Sequence, residues 1–214
     1  AVVGLVLVLI WKHHFVSAVV GVFTAAAATV STQLLKNTLV KPNYGVQEAV
    51  LNSAPSGHTT LAAAAGAAIF LAAPRSLRPA VAVLGSLATC LTGMATMINN
   101  WHRPGDVVSA IFVTAFWTVI GLMVLRYFRR SEFRGGKRTI GSVIVPLLTI
   151  ATLFLGFCSV VLYLIVSVSS LPGGVFVAST SMVLAVGTGC AAALIGLLRP
   201  RNRPRPAYTK VWSY

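Results

Sequence analysis

Seven nearly uninterrupted apolar stretches, at about 1–11, 14–40, 57–73, 77–100, 105–128, 139–168 and 172–198, leave this 214-residue chain few ways to fold. A helix needs roughly 17–25 apolar residues to cross a bilayer, and six of the seven stretches reach that range. In lipid every unpaired peptide group costs several kcal/mol, so the spans are predicted to be helices; the two-residue alternation of a transmembrane β-barrel is absent. Only 9% of the residues are charged and the mean hydropathy is +0.85, against about 25% charged in soluble domains. A water-soluble globule is excluded, and the expected fold class is all-α, a polytopic transmembrane helical bundle. The run LAAAAGAA, Leu61 to Ala68, is made of small side chains that let membrane helices approach closely, which places the 57–73 helix inside the bundle.

Seventeen Lys and Arg against three acids give a net charge of +14. Such a balance can signal nucleic acid, but here the cations sit in short breaks between apolar runs, where they orient membrane helices, and no nucleic-acid partner is expected. Fourteen of the seventeen fall on one face: Lys12, Arg75, Arg78, the cluster 126–138, and the Arg-Pro tail 199–214. By the positive-inside rule that face is cytoplasmic. The opposite face keeps only Lys36, Lys41 and Arg103. Residues 1–11 begin inside an apolar run with neither an initiator Met nor the basic head of a signal peptide, and are expected to be the tail of a helix whose start precedes Ala1. Cys90, Cys158 and Cys190 lie within apolar runs without CxxC spacing and are read as packing residues.

The sparsely charged face is where the chemistry concentrates. Two breaks, 37–57 and 99–106, with Lys36 at their edge, hold Lys36, Lys41, Glu48, Ser56, His58, His102, Arg103 and Asp106, including two of the four His and two of the three acids. In Pro55-Ser56-Gly57-His58, Ser56 is a good N-cap, so Gly57 and His58 enter the first turn of a helix whose free N–H groups and positive dipole end form an anion site. In Trp101-His102-Arg103-Pro104-Gly105-Asp106, Pro104 suits the first helical position and Asp106 lies four residues after His102. A carboxylate so placed can fix the imidazole tautomer and leave the other ring nitrogen free as nucleophile or base. Taken singly, each element reads as well as a capped helix, an interfacial histidine or a belt tryptophan. Lys41 precedes Pro42 and is biased out of helix, which lets Lys36 and Lys41 turn toward one anion although a straight helix would set them about 140° apart.

These residues resemble the type 2 phosphatidic acid phosphatase (PAP2) or lipid phosphate phosphatase superfamily. Its three motifs run in order: a Lys followed several residues later by Arg-Pro, then Pro-Ser-Gly-His, then Ser-Arg with five residues before a His and three more before an Asp. Here they correspond to Lys36 with Lys41-Pro42, to Pro55 through His58, and to His102 with Asp106, over about residues 14–128. The resemblance implies a metal-independent, cofactor-free phosphatase acting through a phosphohistidine. His102 would be the nucleophile, Asp106 its orienting group and His58 the acid for the leaving oxygen. Lys36, Lys41 and the Ser56-Gly57 backbone would hold phosphate oxygens. The Ser-Arg pair falls on Ala95-Thr96 and Lys41 stands for an Arg; an ammonium lacks the bidentate fork of a guanidinium, and Arg103 is expected to supply part of the lost charge.

The expected organisation is a PAP2-like core over 1–128, a basic loop over 129–138, a two-helix extension over 139–198 and a basic tail over 199–214. The expected partners are the membrane and a lipid phosphate: an isoprenoid mono- or diphosphate, or a glycerophospholipid phosphate. The site would face the extracytoplasmic side of the plasma or inner membrane. A phosphotransferase using the same intermediate, and a lipid-binding scaffold that has lost turnover with the Arg, are the alternatives. No charge lies near the middle of any span, which argues against a transporter.

Overall fold

The structure, a computed structural model, describes residues 15–39, 53–129, 139–169 and 171–198. Six α-helices form among them: α1 Phe15–Thr38, α2 Gly57–Ala72, α3 Arg78–Ile98, α4 Pro104–Phe128, α5 Thr139–Val168 and α6 Gly174–Leu197. Each coincides with an apolar stretch to within three residues at either end; the 1–11 stretch lies outside the described residues. All except α2 are long and apolar enough to cross a membrane, and the chain is a multi-pass membrane protein.

Small residues decide how the helices meet. A β-carbon on either Gly66 or Gly85 would lie 3.3 Å from the other's Cα, so the backbones of α2 and α3 nearly touch. On its other flank, α2 is approached by α1, where a β-carbon on Gly21 would lie 2.8 Å from the Ala68 carbonyl oxygen. α2 thus packs against α1, α3 and α4, as its composition predicts. α5 packs chiefly on α6, and only 6% of its span is buried, against 44% for α4, so it forms the outer wall. α6 in turn contacts α3 and α4.

At one end of the bundle the arginines are structural as well as topological. Arg78, 1% exposed, donates from Nε to the Ala73 carbonyl at 3.1 Å and from Nη2 to the Leu71 carbonyl at 3.2 Å, closing the C-terminus of α2. Arg75 donates to the Leu198 carbonyl at 3.3 Å and Arg126 to that of Leu197, at the end of α6. Arg129 reaches Ser17 Oγ on α1 at 3.1 Å. Reading Arg75, Arg78 and Arg126 only as orientation signals is therefore incomplete: buried helix ends need donors for their last carbonyls, and these guanidiniums provide them. The opposite end, where α1 and α3 finish and α2 and α4 begin, holds the polar residues considered next.

Candidate active site

Ser56 caps α2 as predicted: its Oγ accepts from the Thr59 N–H at 3.4 Å and from the Thr59 hydroxyl at 2.9 Å. Beneath it, the Thr60 hydroxyl donates to the Ser56 carbonyl at 2.8 Å, so the Thr32 hydroxyl of α1, 3.0 Å away, donates to Thr60. One turn after Thr32, Lys36 lies in the last turn of α1. Its Nζ comes within 3.6 Å of where a β-carbon would stand on Gly57, so the ammonium sits beside the first turn of α2. Lys41, the second predicted lysine, lies outside the described residues, as does Glu48.

The third element is shaped by the end of α3. Asn100 takes a left-handed conformation (φ 56°), and the N–H groups of Trp101 and His102 both turn back to the Thr96 carbonyl, at 3.0 and 3.3 Å. Thr96 thus fixes the start of the His102 loop through its main chain, while its buried hydroxyl donates to the Gly93 carbonyl at 2.8 Å. His102 Nδ1 then faces Asp106 Oδ2 at 3.6 Å. That carboxylate oxygen is held by the Arg103 N–H at 3.1 Å and by the Ser53 hydroxyl at 2.7 Å. Asp106 is 2% exposed, and a buried carboxylate requires such donors.

Asp106 also ties the two histidine segments together, because its carbonyl accepts from the Ser56 N–H at 2.9 Å. This changes the part expected of Ser56. Its N–H is committed to Asp106 and its Oγ to Thr59, so its contribution is to cap α2, and the amides of the first turn left to meet an anion are those of Gly57 and His58. His58, in that turn, is exposed and lies against Trp101, with ring centroids 5.6 Å apart and planes at 34°. The histidines of both motifs are thereby joined to one loop, residues 99–103. Arg103 is half-buried at the N-cap of α4.

Sequence reasoning picked out Lys36, Ser56, Gly57, His58, His102, Arg103 and Asp106, and all seven lie at this end. It missed Ser53, the Thr32–Thr60 pair and the contact of Trp101 with His58. Only Thr32 carried a signal, its spacing of four residues from Lys36 on one helix. A small apolar pocket of about 70 Å³ is separate from the site. It starts at Ala63, Thr89 and Ile111, one turn deeper than Thr59, Gly93 and Val107; the Thr59 and Val107 side chains meet over Gly93, where a β-carbon would stand.

The arrangement can hold an anion between Lys36 and the start of α2 and present an imidazole backed by a carboxylate. No curated protein and no solved structure matches the chain significantly. The family model of the PAP2 superfamily does match, over residues 18–132, a stretch that contains all but the first three residues of α1, all of α2 to α4 and every residue of this site, so the chain belongs to the PAP2 superfamily.

Proposed function

We propose that the protein is a membrane lipid phosphatase that hydrolyses the phosphate or diphosphate of an isoprenoid or glycerolipid through a phosphohistidine. The observation that carries the reading is the meeting of Lys36 and the first turn of α2 with the His102–Asp106 pair at one end of the bundle. The Lys36 ammonium and the positive end of α2 lie side by side, and both favour a bound phosphate. His102 attacks phosphorus as the bond to the lipid oxygen breaks, and His58 protonates that oxygen. Water then attacks the phosphohistidine, His58 takes its proton, and the P–N bond breaks to release phosphate. Asp106 orients His102; Lys36, Lys41, Gly57 and Arg103 hold the phosphate oxygens, which is the electrostatic part of phosphoryl-transfer catalysis.

The charge asymmetry of the sequence supports a site on the extracytoplasmic side of the plasma or inner membrane, and membership of the family supports a lipid substrate. The core would be residues 1–128, with 139–198 a two-helix extension. The test is phosphate release by the purified protein from a panel of isoprenoid and glycerolipid phosphates, in EDTA. Release that persists in EDTA and falls by at least about a thousandfold in His102→Ala is expected. The buried, uncharged Thr96 favours a second reading, a scaffold that binds lipid phosphates without turning them over. Lipid binding with no phosphate released would select it, and transfer to an added alcohol in place of water would select a phosphotransferase.

A further inference from the structure

We infer that Ser53 is a positioning residue for the site, an inference that rests on the phosphatase reading for its kinetic consequences. Ser53 belongs to no motif, yet it is 7% exposed and its hydroxyl makes a short bond, 2.7 Å, to Asp106 Oδ2 across 53 residues of sequence. That oxygen is also the one that faces His102 Nδ1. With the Ser53 hydroxyl and the Arg103 N–H both directed at it, Oδ2 cannot rotate away from the imidazole.

A second bond makes the first effective. Three residues after Ser53, the Ser56 N–H is bound to the Asp106 carbonyl at 2.9 Å, so one short segment grips Asp106 by both side chain and main chain. His58 lies two residues after Ser56, and His102 precedes Asp106 by four residues. The Ser53–Asp106 bond therefore sets the relative placement of the proposed acid and the proposed nucleophile, although Ser53 need touch neither. Loss of such alignment acts on the chemical step more than on binding, since a misplacement of about 1 Å can cost on the order of a hundredfold in rate.

The experiment compares kcat and KM for phosphate release by the full-length protein, in wild type, Ser53→Ala, Ser53→Thr, Asp106→Asn and the Ser53→Ala/Asp106→Asn double variant. It is run together with ¹⁵N NMR of the labelled imidazoles, which reports on His102 whether or not turnover occurs. Ser53→Ala is expected to lower kcat about tenfold or more with KM within about twofold, consistent with the alignment cost. Ser53→Thr, which keeps the hydroxyl, restores the rate. Adding Ser53→Ala to Asp106→Asn costs nothing further, because the two act as one unit. The His102 resonances move in Ser53→Ala.

Unchanged kcat in Ser53→Ala with unmoved His102 resonances, or an equal loss in both Asp106 backgrounds, overturns the inference. A wild type that releases no phosphate but whose His102 resonances respond to Ser53→Ala overturns the phosphatase reading and leaves the clamp standing. If Ser53→Ala does not fold, Ser53→Cys, a weaker donor of similar size, is subjected to the same kinetic and NMR comparison.

Discussion

The two ends of this bundle use their cations in opposite ways. At one end Arg75, Arg78 and Arg126 donate to the carbonyls of Leu198, Leu71 and Ala73, and Leu197, where helices finish and cations are favoured. At the other, Lys36 also ends a helix, α1, but its ammonium reaches across to Gly57, where α2 begins. The first set holds the fold together by completing hydrogen bonds that the chain leaves open. The second brings an ammonium to a helix start, where the two together favour a bound anion. Position relative to a helix end, more than the number of basic residues, separates structural charge from the charge of the site.

The largest test of that contrast is at the site end: His102→Ala should reduce phosphate release by at least about a thousandfold while thermal unfolding in detergent stays close to wild type. At the arginine end the effect is on stability. Arg78→Ala leaves the Leu71 and Ala73 carbonyls without their donor, and a loss of about 3 kcal/mol is expected from two bonds to a buried charged group, with activity per folded molecule retained. Lys36→Ala should act chiefly on activity, which falls about tenfold through a raised KM. The smallest effect belongs to Thr96→Val. The hydroxyl bonds only to Gly93 of its own helix, so stability should change by less than about 1 kcal/mol and activity by less than about twofold. A large loss in Thr96→Val would place its hydroxyl in the site and break the assignment of its role to the main chain.

The helices were readable because lipid leaves the backbone few alternatives, and their starts were readable where a specific residue marks them, Ser56 before α2 and Pro104 at the head of α4. His58, His102, Asp106 and Lys36 stood out because polar groups are scarce on that face. Ser53 did not, since a serine in a polar loop carries no mark of the carboxylate it meets 53 residues later. Arg78 was legible as a charge but not as a buried cap, because nothing local distinguishes a guanidinium in a loop from one folded under a helix end. The divided use of Ser56, N–H to Asp106 and Oγ to Thr59, was equally hidden: it depends on α4 starting beside α2.

Helix α2 has 16 residues, a length of about 24 Å, short of the roughly 30 Å that a bilayer-crossing helix spans. Arg78 ties its far end into the bundle through the Leu71 and Ala73 carbonyls, so the shortfall lies toward its start, at Gly57. In the proposed phosphatase, a first turn set below the lipid surface would be reached by a head group whose tail stays among the neighbouring acyl chains.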